Sequence, residues 1–190
     1  MRSLTNRSTQ PRKPGAGRWR GGVLALLLAS ATSASAQTPM AKPEDVSSID
    51  AIMKAVYDVI SGPAGQKRDW DRFRSLFAPG ARLIPTGVTS QGEPRVSALT
   101  PDGYIQRSGP FLEKNGFFER EIGRTTERYG HIVQAFSTYE SRHTVADSQP
   151  FARGINSFQL WFDGNRWWVV TIFWQGETPD GPIPAKYINK

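Results

Sequence analysis

The chain has 190 residues, no cysteine, and 24 Lys and Arg against 17 Asp and Glu, a formal net charge of +7. Residues 1–36 hold six of the bases and none of the acids, so the remaining 154 residues carry 18 bases against 17 acids. The excess charge belongs to the leader and gives no support to a nucleic-acid partner, and a chain without cysteine has no thiol nucleophile, thiolate metal site or disulfide.

Residues 1–36 have the layout of a secretory signal peptide: bases from Arg2 to Arg20, the apolar run Val23 to Ala31, then Ala34-Ser35-Ala36 before the cleavage point. The apolar run is far shorter than the ~20 residues of a membrane-spanning helix. The expected product begins at Gln37, is periplasmic or secreted, has no membrane span, and forms one domain large enough for its own core. Residues 37–45 read as a lead-in, 46–176 as the domain, and 177–190 as a Pro-rich tail expected to be loosely attached.

Val46, Ile49, Met53, Val56 and Ile60 recur at three- and four-residue steps, the stripe of an amphipathic helix, with Tyr57 beside it. Ser61-Gly62-Pro63 stops that helix. The following Gly62–Lys67 stretch lacks the Gly-Lys-Ser/Thr ending of a phosphate loop and reads as a connection. Asp69 is a natural N-cap for a second helix carrying Trp70, Phe73, Leu76 and Phe77, ended by Pro79-Gly80. Ala81 to Pro85 suits a short strand, and Thr86 to Leu99 a loop or weak hairpin. Thr100-Pro101-Asp102 opens a third helix, which Gly109-Pro110 should kink and Asn115-Gly116 should end.

Phe117 to Thr126 and His131 to Arg142 read as two long strands, the first with alternating Glu119, Arg120, Glu121 and Arg124 in the manner of a protected edge. Asp163-Gly164-Asn165 then turns a hairpin whose two arms complete a four-strand antiparallel meander. With uniform alternation, one hairpin face carries Asn156, Phe158, Leu160, Phe162, Trp167, Val169, Thr171, Phe173 and Gln175. The other carries Trp161, Trp168, Val170, Ile172 and Trp174. Both faces are largely apolar, so the hairpin should be covered on both sides.

Asp69-Trp70-Asp71-Arg72-Phe73-Arg74-Ser75-Leu76-Phe77 followed by Ala81-Arg82-Leu83, and Gly164-Asn165-Arg166-Trp167-Trp168-Val169-Val170, resemble segments of the nuclear transport factor 2-like (NTF2-like, SnoaL-like) superfamily. The resemblance covers about Val46 to Gly176. It implies an α+β cone, with N-terminal helices packed on the concave face of a strongly bent antiparallel sheet and an apolar pocket at the open end. It also implies a homodimer across the outer sheet face. The superfamily includes isomerase-like, cyclase-like and dehydratase enzymes as well as members that only bind ligands or proteins, so fold does not decide activity.

Hydrolase signatures such as Gly-x-Ser-x-Gly and His-Glu-x-x-His are absent from the sequence. His131 and His143 lie about 40 Å apart on an extended strand and cannot share a metal. Glu119 and Glu121 point to one face about 6.6 Å apart, but the arginines beside them favour a solvated strand. The expected function is binding of a small hydrophobic molecule, without a cofactor or metal, by Tyr57, Trp70, Tyr139, Asn156, Thr171, Phe173 and Gln175. One alternative is an isomerase, cyclase or dehydratase that transfers protons through Tyr139 with His131 or Asp71. The other is a non-catalytic interaction module. Trp161, Trp168 and Trp174 are the expected dimer contacts, because helices can cover only the opposite face.

Overall fold

The structure, a computed structural model, describes residues 39–188. The signal peptide expected over residues 1–36 lies outside them. The expected first helix is two: α1 (Pro43–Val46) stops at Ser47, and the Ser48 hydroxyl accepts the Ala51 N–H at 3.0 Å to start α2 (Ile49–Ile60). Asp69 caps α3 (Trp70–Ser75), and Arg72 holds Asp45 through two bonds of 2.7 Å, tying α3 to α1. This guanidinium keeps the Asp45 carboxyl below the usual range. Thr100 caps α4 (Pro101–Asn115), a single element that runs on through Gly109-Pro110.

Six strands form one sheet in the order β2-β1-β6-β5-β4-β3. They are β1 (Phe77–Val88), β2 (Pro94–Val96), β3 (Phe118–Tyr129), β4 (Ile132–Arg142), β5 (Ala152–Phe162) and β6 (Trp167–Gly176). β3 to β6 are the expected meander, while β1 adds to β6 in parallel and its tip pairs with β2 as a short hairpin. β1 starts directly after α3, without waiting for Pro79-Gly80. Its early residues gain a parallel partner in β6, which the local sequence does not reveal.

Two β-bulges interrupt the antiparallel meander, and a further register shift falls in β1 between Phe77 and Arg82. Ile122 is the extra residue of β3 between Glu121 and Gly123, and Val170 that of β6 between Val169 and Thr171. An extra residue raises the local twist and reverses the alternation beyond it. Past Val170, Ile172 and Trp174 turn to the concave side, opposite Phe158 and Asn156. Thr171, Phe173 and Gln175 pair with Gln159, Ser157 and Ile155 on the outer side, so their expected place in a ligand wall is corrected. The same reversal removes Trp174 from the expected dimer face.

α2 lies in the concavity, where Ile52, Met53, Val56 and Val59 are buried against Phe158, Leu160 and Val169. Phe73 joins three elements: its ring meets Trp70 at 5.7 Å, Phe77 at 4.7 Å and Tyr104 at 5.4 Å, and Tyr104 in turn meets Trp174 of β6 at 6.3 Å. Such pairs add about 0.5–1.5 kcal/mol each beyond area burial. The tail is tied down, contrary to expectation. Arg153 holds Glu177 with bonds of 2.8 and 3.0 Å, and the Thr138 hydroxyl donates to the Tyr187 carbonyl at 2.7 Å. Tyr187 also sets its ring on Phe136.

Candidate functional site

Between α4, the end of α2 and the concave sheet lies a cavity of about 500 Å³, within the usual range for small-molecule sites. Its floor is the buried set Val56, Ile60, Phe73, Leu83 and Phe158. Tyr104, Ser108 and Phe111 line it from α4, one side of a helix at steps of four and three. Ile172 and Trp174 reach it only because of the Val170 bulge. Exposed Arg107, Phe111 and Phe151 mark where it opens to solvent.

Four polar lining groups share the sheet wall. Glu119, Tyr139, Ser141 and Asn156 come from β3, β4 and β5. The Ser141 hydroxyl donates to Glu119 Oε2 at 2.8 Å, and the Glu119 N–H donates to Ser61 Oγ at 3.0 Å. Burial pushes the Glu119 carboxyl from 4.5 up to about 7, against the pull of its Ser141 and Asn156 partners. Burial, with the Glu119 charge nearby, also raises the Tyr139 and Tyr104 hydroxyls, which stay protonated. Tyr139 lies across its strand partner Gly154, where a Cβ would sit 2.4 Å from the Tyr139 hydroxyl oxygen. Only glycine leaves room for that ring.

Behind Asn156 runs a buried polar chain. The Asn156 amide donates to the Tyr57 hydroxyl at 3.1 Å, which shares a 2.7 Å bond with Ser137; Ser137 donates to Glu121, and Arg124 pairs with Glu121 and Asp50. Tyr57 thus stands behind the cavity wall. It lines a second cleft of about 360 Å³, which it shares with Glu119.

Tyr139 and Asn156 therefore meet at the cavity, and the other expected residues do not. Trp70 donates its indole N–H to Glu113 at 3.0 Å and packs on Phe73 outside the lining. Asp71 is exposed and paired with Arg74. His131 is exposed at the β3–β4 turn, held to the Phe162 carbonyl at 2.8 Å. Neither joins Tyr139, so the expected proton-transfer sets of Tyr139 with His131 or Asp71 are corrected. Among the described residues no three His, Asp or Glu side chains are grouped to hold a metal ion.

Glu119 is the residue that sequence reasoning passed over. β3 is indeed an edge strand, but its first half crosses α2, so the glutamates turn inward while Arg120 faces solvent. Parity gives no signal for it, because Phe117 heads the face of Glu119 and Glu121 while Phe118 heads that of Arg120 and Ile122.

No family model and no curated protein matches the sequence. Several solved structures are similar to the chain. A protein of unknown function with a cystatin-like fold from Nostoc punctiforme is 10% identical with a TM-score of 0.52, covering 69% of this chain and 90% of its own. An NTF2-like protein of unknown function from Shewanella baltica is 17% identical with a TM-score of 0.42, covering 67% of this chain and 89% of its own. LinA is 10% identical with a TM-score of 0.49, covering 72% of this chain and 88% of its own. With helices packed against one mostly antiparallel six-stranded sheet, the chain has an α+β fold shared with the cystatin-like structure from Nostoc punctiforme.

Proposed function

We propose that this protein binds a small, mostly apolar molecule in the cavity between α4 and the concave sheet. The observation that carries this reading is a 500 Å³ space walled mostly by aromatic and aliphatic side chains, with Glu119, Tyr139, Ser141 and Asn156 together on its sheet wall. Such a site gains affinity from apolar contact and orientation from a few hydrogen bonds. Neutral naphthyl and phenylalkyl alcohols are expected to raise the melting temperature of the wild type. Ala152→Trp, which plugs the lining, should weaken them at least roughly tenfold while near-UV dichroism stays native. Failure of every such probe to bind, or equal binding by Ala152→Trp, would remove the reading.

Glu119 favours a second reading, proton transfer within the same cavity and without a cofactor. A carboxyl that titrates near 7 is half ionised at neutral pH and can take a proton from a bound molecule. The Tyr139 hydroxyl, which stays protonated, can then donate a hydrogen bond to the oxyanion that forms.

We also propose an exported homodimer. Trp161, Val170 and Phe173 are 41, 38 and 47% exposed on the outer sheet face, a grouping of apolar side chains that a second copy would cover. Trp168 joins this face, with its indole bonded to Asp163 and Arg166 stacked on its ring at 3.6 Å. The native protein is expected to begin at Gln37 by intact-mass analysis and to sediment at twice that mass. Trp161→Lys should shift it to the monomer. A wild-type monomer at micromolar concentration, or an uncut Met1, would contradict this.

A further inference from the structure

The cavity has one feature that binding of a neutral apolar molecule leaves unused. Of its lining side chains only two carry formal charge, Glu119 in the sheet wall and Arg107 at the rim. The position of Arg107 follows from how α4 is seated. Gly109 packs flat on Trp70, where a Cβ would come within 3.1 Å of the indole, and Leu112 is buried on the same side of the helix. That contact turns Tyr104, Ser108 and Phe111 to the cavity, with Arg107 alongside them at its opening.

Most arginines near this region are already engaged. Arg74 pairs with Asp71 and Asp102, Arg72 with Asp45, Arg124 with Asp50 and Glu121, and buried Arg68 with backbone carbonyls. Arg107, among the described residues, has no carboxylate partner. A guanidinium standing at the mouth of an apolar cavity, beside exposed Phe111 and Phe151, offers a planar fork to an anion whose apolar body lies inside. The wall opposite in character bears Glu119, which would repel a carboxylate placed next to it and accept a hydrogen bond from a hydroxyl there. The two charges therefore prescribe a direction for the occupant as well as its class.

Resting on the proposed ligand cavity, we infer that its ligand is a small amphipathic carboxylate, bound with the anion on Arg107 and the apolar body directed inward toward Phe158 and Trp174. A phenyl, naphthyl or medium-chain alkyl acid satisfies the requirement. A neutral alcohol of the same skeleton fills the cavity but leaves Arg107 to solvent, and an amine brings the wrong charge to the rim.

The test is a set of matched pairs titrated by calorimetry at low ionic strength: 2-naphthylacetate, 4-phenylbutyrate and octanoate, each against the alcohol of the same carbon skeleton. The wild type is expected to bind the acids roughly three- to tenfold tighter than the alcohols, an advantage that shrinks at about 0.5 M salt. Arg107→Gln should erase the advantage while leaving alcohol affinity unchanged, and Arg107→Lys should keep most of it, since the charge remains. Equal affinity for acid and alcohol in the wild type overturns the inference alone, as does an Arg107→Gln variant that loses both probes equally. If no probe of either kind binds the wild type, the ligand cavity itself is refuted and this inference falls with it.

Discussion

Glu119→Gln is expected to be more stable than the wild type at pH 8 by about 2–3 kcal/mol and to match it near pH 4. The native carboxyl keeps its proton up to about 7, whereas the ordinary value is 4.5. Between these values the unfolded chain has released a proton that the native state still holds, so raising the pH favours unfolding. The contribution is fully present below 4.5 and is lost as pH rises through 7. Its slope is at most about 1.4 kcal/mol per pH unit. Glutamine cannot ionise and should remove this slope. Carboxyls held low by hydrogen bonds and charges, such as Asp45, Asp163 and Glu177, act in the opposite sense and at lower pH, and are common to both proteins. Urea midpoints of the two proteins at half-unit steps from pH 4 to 8 check this. Parallel curves would show that Glu119 is solvated, and both its interior position and the proton-transfer reading would then be dropped.

Arg68→Met is expected to cost about 2–4 kcal/mol, because buried carbonyls lose their donors at roughly 1–3 kcal/mol for each one that water does not reach. Arg68 is only 6% exposed, and its guanidinium donates to the carbonyls of Ile60 at 2.9 Å, Gly62 at 2.6 Å, Gln66 at 2.6 Å and Leu112 at 3.0 Å. Two of these carbonyls lie at the ends of α2 and α4, where free C=O groups and the helix dipoles favour a cation. Methionine fills similar volume but leaves the carbonyls without donors. Lysine should recover only part of the loss, because one ammonium cannot reach acceptors on both sides as the fork does. The side chain also fixes Ile60 and Leu112, which line the cavity. Apolar probes should therefore bind Arg68→Lys more weakly even where it is folded. Denaturant unfolding at pH 7 gives the value, and a loss below about 1 kcal/mol for Arg68→Met would mean that water replaces the guanidinium.

Much of the fold was legible because its signals are local. The capped helices, the meander around Asp163-Gly164-Asn165, and the inward set Asn156, Phe158, Leu160, Trp167 and Val169 follow from periodicity and turn chemistry. Tyr139 and Asn156 were reachable by the same parity argument. The Gly62–Lys67 connection was recognised as such, but nothing in its composition tells that it wraps around Arg68.

Tertiary structure alone decided which side of the β6 bulge each residue faces. Val170 to Trp174 is β-branched or aromatic throughout, so either alternation satisfies the strand and the extra residue leaves no mark in the pattern. Pairing with β5 and the parallel contact of β1 set the register, sending Trp174 into the cavity and Thr171, Phe173 and Gln175 out of it. For Glu119 the reason is different. A glutamate flanked by arginines on an edge strand satisfies solvation rules on either face, and only the passage of α2 beneath β3 takes its carboxyl partly from water and raises its proton affinity. Sequence by itself determined the capped third and fourth helices, the meander and the apolar face of its hairpin. The long-range packing that draws one carboxyl partly out of water decided where its chemistry could be.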